Sequence, residues 1–557
     1  MYFQTILSLI PKEKRKSFIS NCLSDSFRNI LDLVGLASIL PAIIVVFDSS
    51  ALKGDNFLGR TFRFLNLESI GEFSLVLALG VLLFLPLKSV LTIFINKRKQ
   101  IYLLDLYKYY STSIYDLYHK RGLRYIKKTH SSRLAQQING VCYAFAISVV
   151  GNLIGLFSDV SMAILLIVVA IGFSPSSSML LLVALLPILG AYFWIVRKKL
   201  KDLGHNAYDM RQKQAALVQE SLRGYVSMTV NGSDKLAKSE FISGLDDISN
   251  NDVLTSTYSQ IPSLLMQLCV AVSLIVLLLM TDNKDNANSI FIVFGFIAVR
   301  LLPSFLRISG RWSNLNSADY VISTIKEIQD EVEADEIQDL KPITFEKEIR
   351  VSDLSYTFDG GENVLKDFNM TVSKGQVIGI TGPSGAGKST LFNLLLGFYK
   401  ADGGNIYVDD QLLSETNRRN WLKIVGYSEQ DVFISSDTLA YNVALSREAD
   451  IARIEKILSK VGLKEWYDAL PEASNTIMDE QGGNVSGGER QRLGLARALY
   501  KNAQVLFLDE TTSALDSFNE DNIMALLREI VLVDKLTVFI ISHRENTLKM
   551  CDRVIKM

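Results

Sequence analysis

The sequence is too poor in cysteine to be a disulfide-bonded scaffold. Its 557 residues include four cysteines: Cys22, Cys142, Cys269 and Cys551. Their wide, irregular spacing also excludes a CxxC metal site, and we expect buried thiols. Excess charge of one sign is lacking too: 58 basic against 59 acidic residues leave a net charge of −1, so nothing indicates nucleic-acid binding. With 48% hydrophobic and 21% charged residues, the composition predicts one part in lipid and another in water.

Long apolar runs fill the N-terminal half. No residue is charged from 253 to 281, a run longer than the ~20 residues that a membrane-spanning helix needs. Between Arg133 and Arg197 the single charged residue is Asp159. Helices buried in a large soluble protein seldom run this long without charge. We therefore predict an all-α domain of six spans, at roughly residues 17–47, 73–96, 138–172, 178–197, 257–280 and 288–310.

Basic residues lie on one side of these predicted spans. Clusters at 12–16, 97–99 and 197–201 precede the first span, follow the second and follow the fourth. The loop at 174–178 has no basic residue, and the loop at 281–287 has only Lys284. Because basic residues concentrate in cytoplasmic loops, both termini are predicted to be cytoplasmic.

The composition changes after Arg311, where strands begin to alternate with helices. We predict a transmembrane domain over 1–312, an acidic linker over 313–342 and an α/β domain over 343–557.

The α/β domain contains a candidate phosphate-binding loop near its N-terminal end. It comprises Gly382, Pro383, Ser384, Gly385, Ala386, Gly387, Lys388, Ser389 and Thr390. A hydrophobic strand precedes it and an apolar helix follows, which is the context that this motif requires. The glycines let backbone N–H groups surround phosphates, and the helix N-terminus adds its positive end. Lys388 is expected to reach the β- and γ-phosphates, and Ser389 to ligate Mg²⁺.

A second hydrophobic strand, 505–508, ends in two acidic residues. After a phosphate-binding loop, Asp509 is placed to hold the Mg²⁺ shell and Glu510 to polarise the attacking water. The pattern predicts ATP hydrolysis.

A serine–glycine segment opens another helix and forms a candidate second anion site. Its members are Ser486, Gly487, Gly488 and Glu489. Taken alone, the segment is more simply a helix cap. One nucleotide cannot occupy both sites if they lie far apart, so we predict a head-to-tail dimer. In that dimer Ser486 of one copy closes on the γ-phosphate held by the other.

These motifs resemble the ATP-binding cassette (ABC) family, and the whole chain is similar to a half-transporter with the type I/type IV exporter fold. The resemblance implies ATP and Mg²⁺ as cofactors and a homodimer as the working unit. It implies that Gln430 contacts Mg²⁺, that His543 contacts the γ-phosphate and acts with Glu510, and that Asp516 lies in the loop between the two sites. Phe358 takes the adenine-stacking position, where tyrosine is usual.

Three arginines of the predicted sixth span, Arg300, Arg307 and Arg311, share one helical face. An arginine at membrane depth costs about 2.5–3.5 kcal/mol, which suggests a cationic stripe facing a watery cavity and an anionic headgroup. The alternative is that Arg311 and Arg307 already lie on the cytoplasmic side of the membrane and that Arg300 pairs with Asp25 or Asp32 of the first span. Both interpretations remain open at this point.

Residues 299–308 are similar to the sixth span of lipid-linked oligosaccharide flippases of bacterial protein glycosylation, residues 9–41 to their first span, and residues 57–65 to their short external helix. The resemblance implies a flippase in the bacterial inner membrane that moves an anionic lipid-linked oligosaccharide outward by alternating access. Arg28, Arg300 and Arg307 are its candidate substrate contacts. A peptide, bacteriocin or drug exporter of the same architecture is the first alternative. An ATP-gated channel or a regulator of a partner protein is the second.

Overall fold

A computed structural model describes the chain in two compact units, Met1–Arg121 with Tyr125–Asp335 and Gly122–Arg124 with Glu336–Met557. The described residues are 2–38, 62–64, 69–173, 175–280, 303–332, 343–358, 361, 363–479, 485–510, 523–525, 527–529, 531 and 535–557.

Helices build the first unit. They are Tyr2–Leu9 (α1), Lys12–Ala37 (α2), Ile70–Lys128 (α3), Ser131–Gln136 (α4), Cys142–Ala144 (α5), Gly151–Phe173 (α6), Pro175–Arg223 (α7), Tyr225–Val230 (α8), Asp234–Met280 (α9) and Asp319–Val332 (α10). Two π-helical segments, Gln137–Val141 and Phe145–Val150, join α4, α5 and α6 into one run. Residues 303–317 are also helical.

Two helical stretches of the described chain are long and apolar enough to cross a membrane, Gly71–Lys128 and Ser131–Ile171. They contain the predicted second and third spans. The predicted fourth and fifth spans lie within α7 and α9. The predicted first and sixth spans lie partly outside the described residues, as does most of the predicted external helix at 57–65.

The core of the first unit joins α1, α3, the α4–α6 run and α10. Ile6, Leu106, Phe145 and Val321 are all fully buried within it. Beside it, α2 packs on α6 and α7 packs on α9. The prediction of buried thiols is confirmed for Cys22 and Cys142, whereas Cys551 is half-buried.

The second unit alternates strands and helices. Its strands are Glu348–Thr357 (β1), Asn363–Ser373 (β2), Val377–Thr381 (β3), Gly403–Val408 (β4), Gln411–Leu412 (β5), Val425–Ser428 (β6), Val505–Asp509 (β7), Thr537–Ile541 (β8) and Arg553–Lys556 (β9). Its helices are Lys388–Leu395 (α11), Arg418–Lys423 (α12), Leu439–Ala444 (α13), Ile451–Lys460 (α14), Lys464–Asp468 (α15), Gly487–Tyr500 (α16) and Glu545–Lys549 (α17). Ala473–Asn475 forms a 3₁₀ turn.

Two sheets organise these strands. One is antiparallel with the order β2-β1-β4-β5, and the other is parallel with the order β6-β7-β8-β3-β9. Strands β7 and β8 are buried along their whole length, as near-continuous apolar runs in a parallel sheet should be. Because loops that follow parallel strands meet at one sheet edge, the residues after β3, β6, β7 and β8 converge there.

Candidate functional site

The predicted phosphate-binding loop joins the buried strand β3 to helix α11. Gly385 and Gly387 adopt φ values of 85° and 89°, a left-handed conformation that glycine accepts at little cost. The Lys388 side chain is buried and its Nζ donates to the carbonyl oxygens of Gly382 (2.9 Å) and Pro383 (3.0 Å). An ammonium group is thus held over the loop that would receive phosphates.

Three predicted residues meet at the carboxyl edge of the parallel sheet. Gln430, after β6, donates through Nε2 to Glu510 Oε2 at 2.8 Å. His543, after β8, places Nε2 3.4 Å from Glu510 Oε1. Glu510 follows β7 directly and has a φ of 48°, unusual for a residue other than glycine. Two loops from neighbouring strands therefore orient the two oxygens of one carboxylate.

Asp509 ends β7 and its side chain is buried. Its charge adds to burial in raising the pKa of the Tyr427 hydroxyl on the neighbouring strand β6. Because an anion repels phenolate formation, Tyr427 stays neutral beside this carboxylate.

Ser486 is the N-cap of α16, the helix that begins with the predicted serine–glycine segment. Its Oγ accepts from the backbone N–H of Glu489 (3.3 Å), and Glu489 Oε2 accepts from the backbone N–H of Ser486 (2.8 Å). The serine–glycine segment therefore forms a helix cap, as its simpler interpretation predicts. A helix cap does not conflict with a role for the same turn in anion binding.

Phe358 lies at the end of an aromatic cluster. Its ring is 42% exposed and meets Tyr356 edge-on at 5.1 Å, while Tyr356 stacks on Tyr399 at 5.4 Å. An exposed ring face is what base stacking needs. The predicted inter-site residue Asp516 lies outside the described residues.

In the first unit, the arginines predicted to share a face do converge. Arg307 Nε and Arg311 Nε donate to the two oxygens of Asp159, each at 2.8 Å. Helical spacing does not reveal this partner, although Asp159 stands out in the sequence as the single acid of a long charge-poor stretch. Arg300 lies outside the described residues.

Arg28 has partners of its own. It donates to Asn96 Oδ1 at 2.8 Å and approaches Asp25 at 3.3 Å. Asp25 also binds Lys99 at 3.2 Å, and Asp32 binds Lys88 at 2.6 Å. Both acids considered as partners for Arg300 are therefore engaged by other cations.

A phosphate-binding loop after β3 of a parallel sheet, with an oriented carboxylate after β7, two strands away in the same sheet, defines the class of P-loop nucleotide-binding domains. Comparison with known proteins identifies the family within this class: residues 365–513 match the ABC transporter family. The chain has the layout of an ABC half-transporter and resembles lipid flippases.

The relatives and a solved structure support this conclusion. An ATP-dependent lipid A-core flippase of Cupriavidus pinatubonensis is 29% identical over 391 residues, which is 68% of this chain and 65% of the flippase. A probable ABC transporter ATP-binding/permease protein of Haemophilus influenzae is 36% identical over 248 residues, 44% of each chain. This chain thus spans slightly less than two thirds of the length of the first relative.

A bacterial Atm1-family ABC exporter with ATP bound has the same fold, with a TM-score of 0.77 at 19% identity over 98% of this chain and 94% of that one. The predicted fold class is confirmed: a mostly helical N-terminal region precedes an α/β P-loop domain. The exporter fold and the long apolar helices indicate a membrane protein.

Proposed function

We propose that this chain is half of an ATP-driven exporter that works as a homodimer by alternating access. Its cargo is an anionic lipid-linked oligosaccharide or a related amphiphile, moved outward from the cytoplasmic side of a bacterial inner membrane. The orientation of Glu510 by Gln430 and His543 carries the ATP-driven part of this proposal. Relatives named as lipid A-core flippases support a lipid cargo.

The hydrolytic step follows from the positions of the side chains. Glu510 takes a proton from the attacking water, and the Gln430 hydrogen bond keeps its carboxylate in place. His543 lies 3.4 Å from the other oxygen, and the family resemblance implies that it also contacts the γ-phosphate. Lys388 exchanges its two loop carbonyls for phosphate oxygens, so its charge moves little.

The side chains also fit Mg²⁺, a hard cation that prefers oxygen ligands. Ser389 offers a hydroxyl and Asp509 a carboxylate. Gln430 uses its amino group for Glu510, which leaves its carbonyl oxygen available to a metal. When bound, Mg²⁺ supplies neutralisation of phosphate charge.

The dimer is testable by mixing two inactive variants. Lys388→Ala disables the phosphate-binding loop and Ser486→Arg blocks the serine–glycine segment, so each homodimer should be inactive. In a mixed dimer, one nucleotide site combines the altered Lys388 position of one copy with the altered Ser486 position of the other. The second site combines the two unaltered residues and is intact. Co-reconstitution at equal amounts should therefore restore about a quarter of the wild-type ATPase rate, one site in half of the dimers. No recovery would contradict the shared site.

The cargo is tested by ATPase stimulation in liposomes. A polyprenyl-pyrophosphate glycan should stimulate the wild type, and Arg300→Ala should abolish that stimulation. Stimulation by peptides alone would instead favour a peptide or bacteriocin exporter, and ATP-dependent ion conductance would favour a channel. Protease access to a C-terminal tag in inverted vesicles tests the proposed cytoplasmic termini.

We propose domain boundaries at 1–312, 313–342 and 343–557, in which the middle segment includes α10, a helix that packs in the core of the first unit. Mass mapping of the fragments from limited proteolysis tests these boundaries, and a stable fragment that begins near residue 343 is expected.

A further inference from the structure

Asp159 is a buried carboxylate with two cationic partners. Its side chain is 1% exposed, whereas those of Arg307 and Arg311 are 46% and 23% exposed. Each arginine donates its Nε–H to a different oxygen of Asp159, at 2.8 Å. Two positive charges thus face one negative charge, and the cluster keeps one surplus positive charge.

Neighbouring residues fix this arrangement. Asn29 of α2 donates to Ser158 Oγ at 2.8 Å and to Asp159 Oδ1 at 3.4 Å, which ties α2 to this part of α6. Gly155, one turn before Asp159, leaves the space that Arg311 fills, since a Cβ there would lie 1.9 Å from Arg311 Nη1. The carboxylate is therefore held in place, with the arginines seated on it.

The arginines retain binding capacity toward the accessible side. A guanidinium has five N–H donors, and Asp159 engages one from each arginine. Arg307 donates a further one to Ser304 Oγ at 3.2 Å. Guanidinium forks match phosphate oxygens in geometry and charge. A phosphate group at this cluster would meet one surplus positive charge, and Asp159 would compete with it.

We propose that Asp159 is an internal counter-ion that sets the headgroup selectivity of the cargo site. It stabilises the two arginines when no cargo is bound, and it weakens their hold on a phosphate-bearing lipid enough for release. This inference rests on the proposed function and names the charge chemistry of the same site. Asp159 acts through the arginines and is a positioning residue.

The test uses the full chain in phosphatidylcholine nanodiscs with increasing phosphatidic acid as the probe, and it reads ATPase stimulation. Asp159→Asn removes the competing charge. The phosphatidic acid fraction giving half-maximal stimulation should fall about tenfold, and the maximal rate should fall because release slows. A purely structural role would lower the rate without tightening the response.

Arg307→Gln supplies the opposite shift and a second way to test the proposal if Asp159→Asn folds poorly. It leaves Arg311 and Asp159 as a neutral pair, so the half-maximal fraction should rise about tenfold. Asp252→Asn is the matched control, because it removes another arginine-paired acid of the first unit, bound to Arg211 at 3.0 Å, and should leave the response unchanged. Equal responses of the wild type and Arg307→Gln would overturn the proposal.

Two further probes, diacylglycerol and soluble glycerol 3-phosphate, test whether the cluster recognises both the phosphate and the lipid. Diacylglycerol has no phosphate and should not distinguish the variants, whereas equal stimulation by soluble glycerol 3-phosphate would overturn the assignment to a lipid. If peptides but no lipid stimulate the wild type, the proposed function fails. If phosphatidic acid stimulates the wild type and Asp159→Asn alike, only the counter-ion inference fails.

Discussion

Ser486 and Glu489 hold each other through two reciprocal hydrogen bonds at the start of α16. This capping box satisfies two backbone N–H groups that the helix itself cannot. The same turn is proposed to contact the γ-phosphate of the ATP that a second copy of the protein binds. Its geometry is therefore set before any nucleotide arrives.

Glu489→Ala should loosen this turn by about 0.5–1.5 kcal/mol, because the Ser486 N–H loses its acceptor. Amide hydrogen exchange in the first turn of α16 should accelerate in the full-length protein, and the ATPase rate should fall. Glu489→Gln keeps a carbonyl acceptor and is the control. Unchanged exchange in Glu489→Ala would show that the box contributes nothing.

Glu510→Gln should reduce the ATPase rate by about 10²–10⁴-fold, because an amide cannot accept the proton of the attacking water. ATP binding should persist, since Lys388 and the loop are untouched. Phosphate release and equilibrium binding of a fluorescent ATP analogue measure the two effects. Glu545→Gln changes an acid that is 89% exposed and serves as the control. A rate within tenfold of the wild type would exclude Glu510 as the base.

These two sites could be predicted because their residues lie in short, contiguous strings. Loop, strand and helix order place Lys388 and Glu510 without knowledge of distant contacts. The hydrogen bond from Gln430 to Glu510 spans 80 positions and required the sheet order β6-β7-β8.

Gly155→Ala should destabilise the first unit by about 1–3 kcal/mol, because the new methyl group occupies the space of the Arg311 guanidinium. The midpoint of thermal unfolding should fall by several degrees. Gly80→Ala, where no described atom lies within 4 Å of the added Cβ, should be neutral or stabilising. Equal midpoints for the two variants would contradict the close contact.

Burial raises the pKa of the Cys551 thiol to about 11 from 9.0, and the charge of Asp552 adds to the shift. The thiolate is the reactive form, so maleimide labelling at pH 7.5 should be about a hundredfold slower in the folded protein than after unfolding. Mass spectrometry of the Cys551 peptide measures the rate, with the guanidinium-unfolded protein as the control. Rapid labelling of the folded chain would contradict this burial.

The same shift makes folding stability depend on pH. The unfolded thiol loses its proton near pH 9 and the folded one near pH 11. The contribution of the protonated Cys551 thiol to the free energy of unfolding is therefore complete below pH 9 and declines as pH rises toward 11. Cys551→Ser should reduce that decline, as measured by thermal unfolding at several pH values.

The sequence alone predicts the apolar helices, the alternation of strands and helices in the second unit, and the nucleotide-binding motifs. These features depend on local periodicity and on adjacent residues. Helical spacing also placed Arg307 and Arg311 on one face. Their shared partner came from the tertiary structure, because Asp159 lies 148 and 152 positions away. Which carboxylate meets which arginine depends on how separate helices pack, and the charge pattern of one helix carries no record of its neighbour.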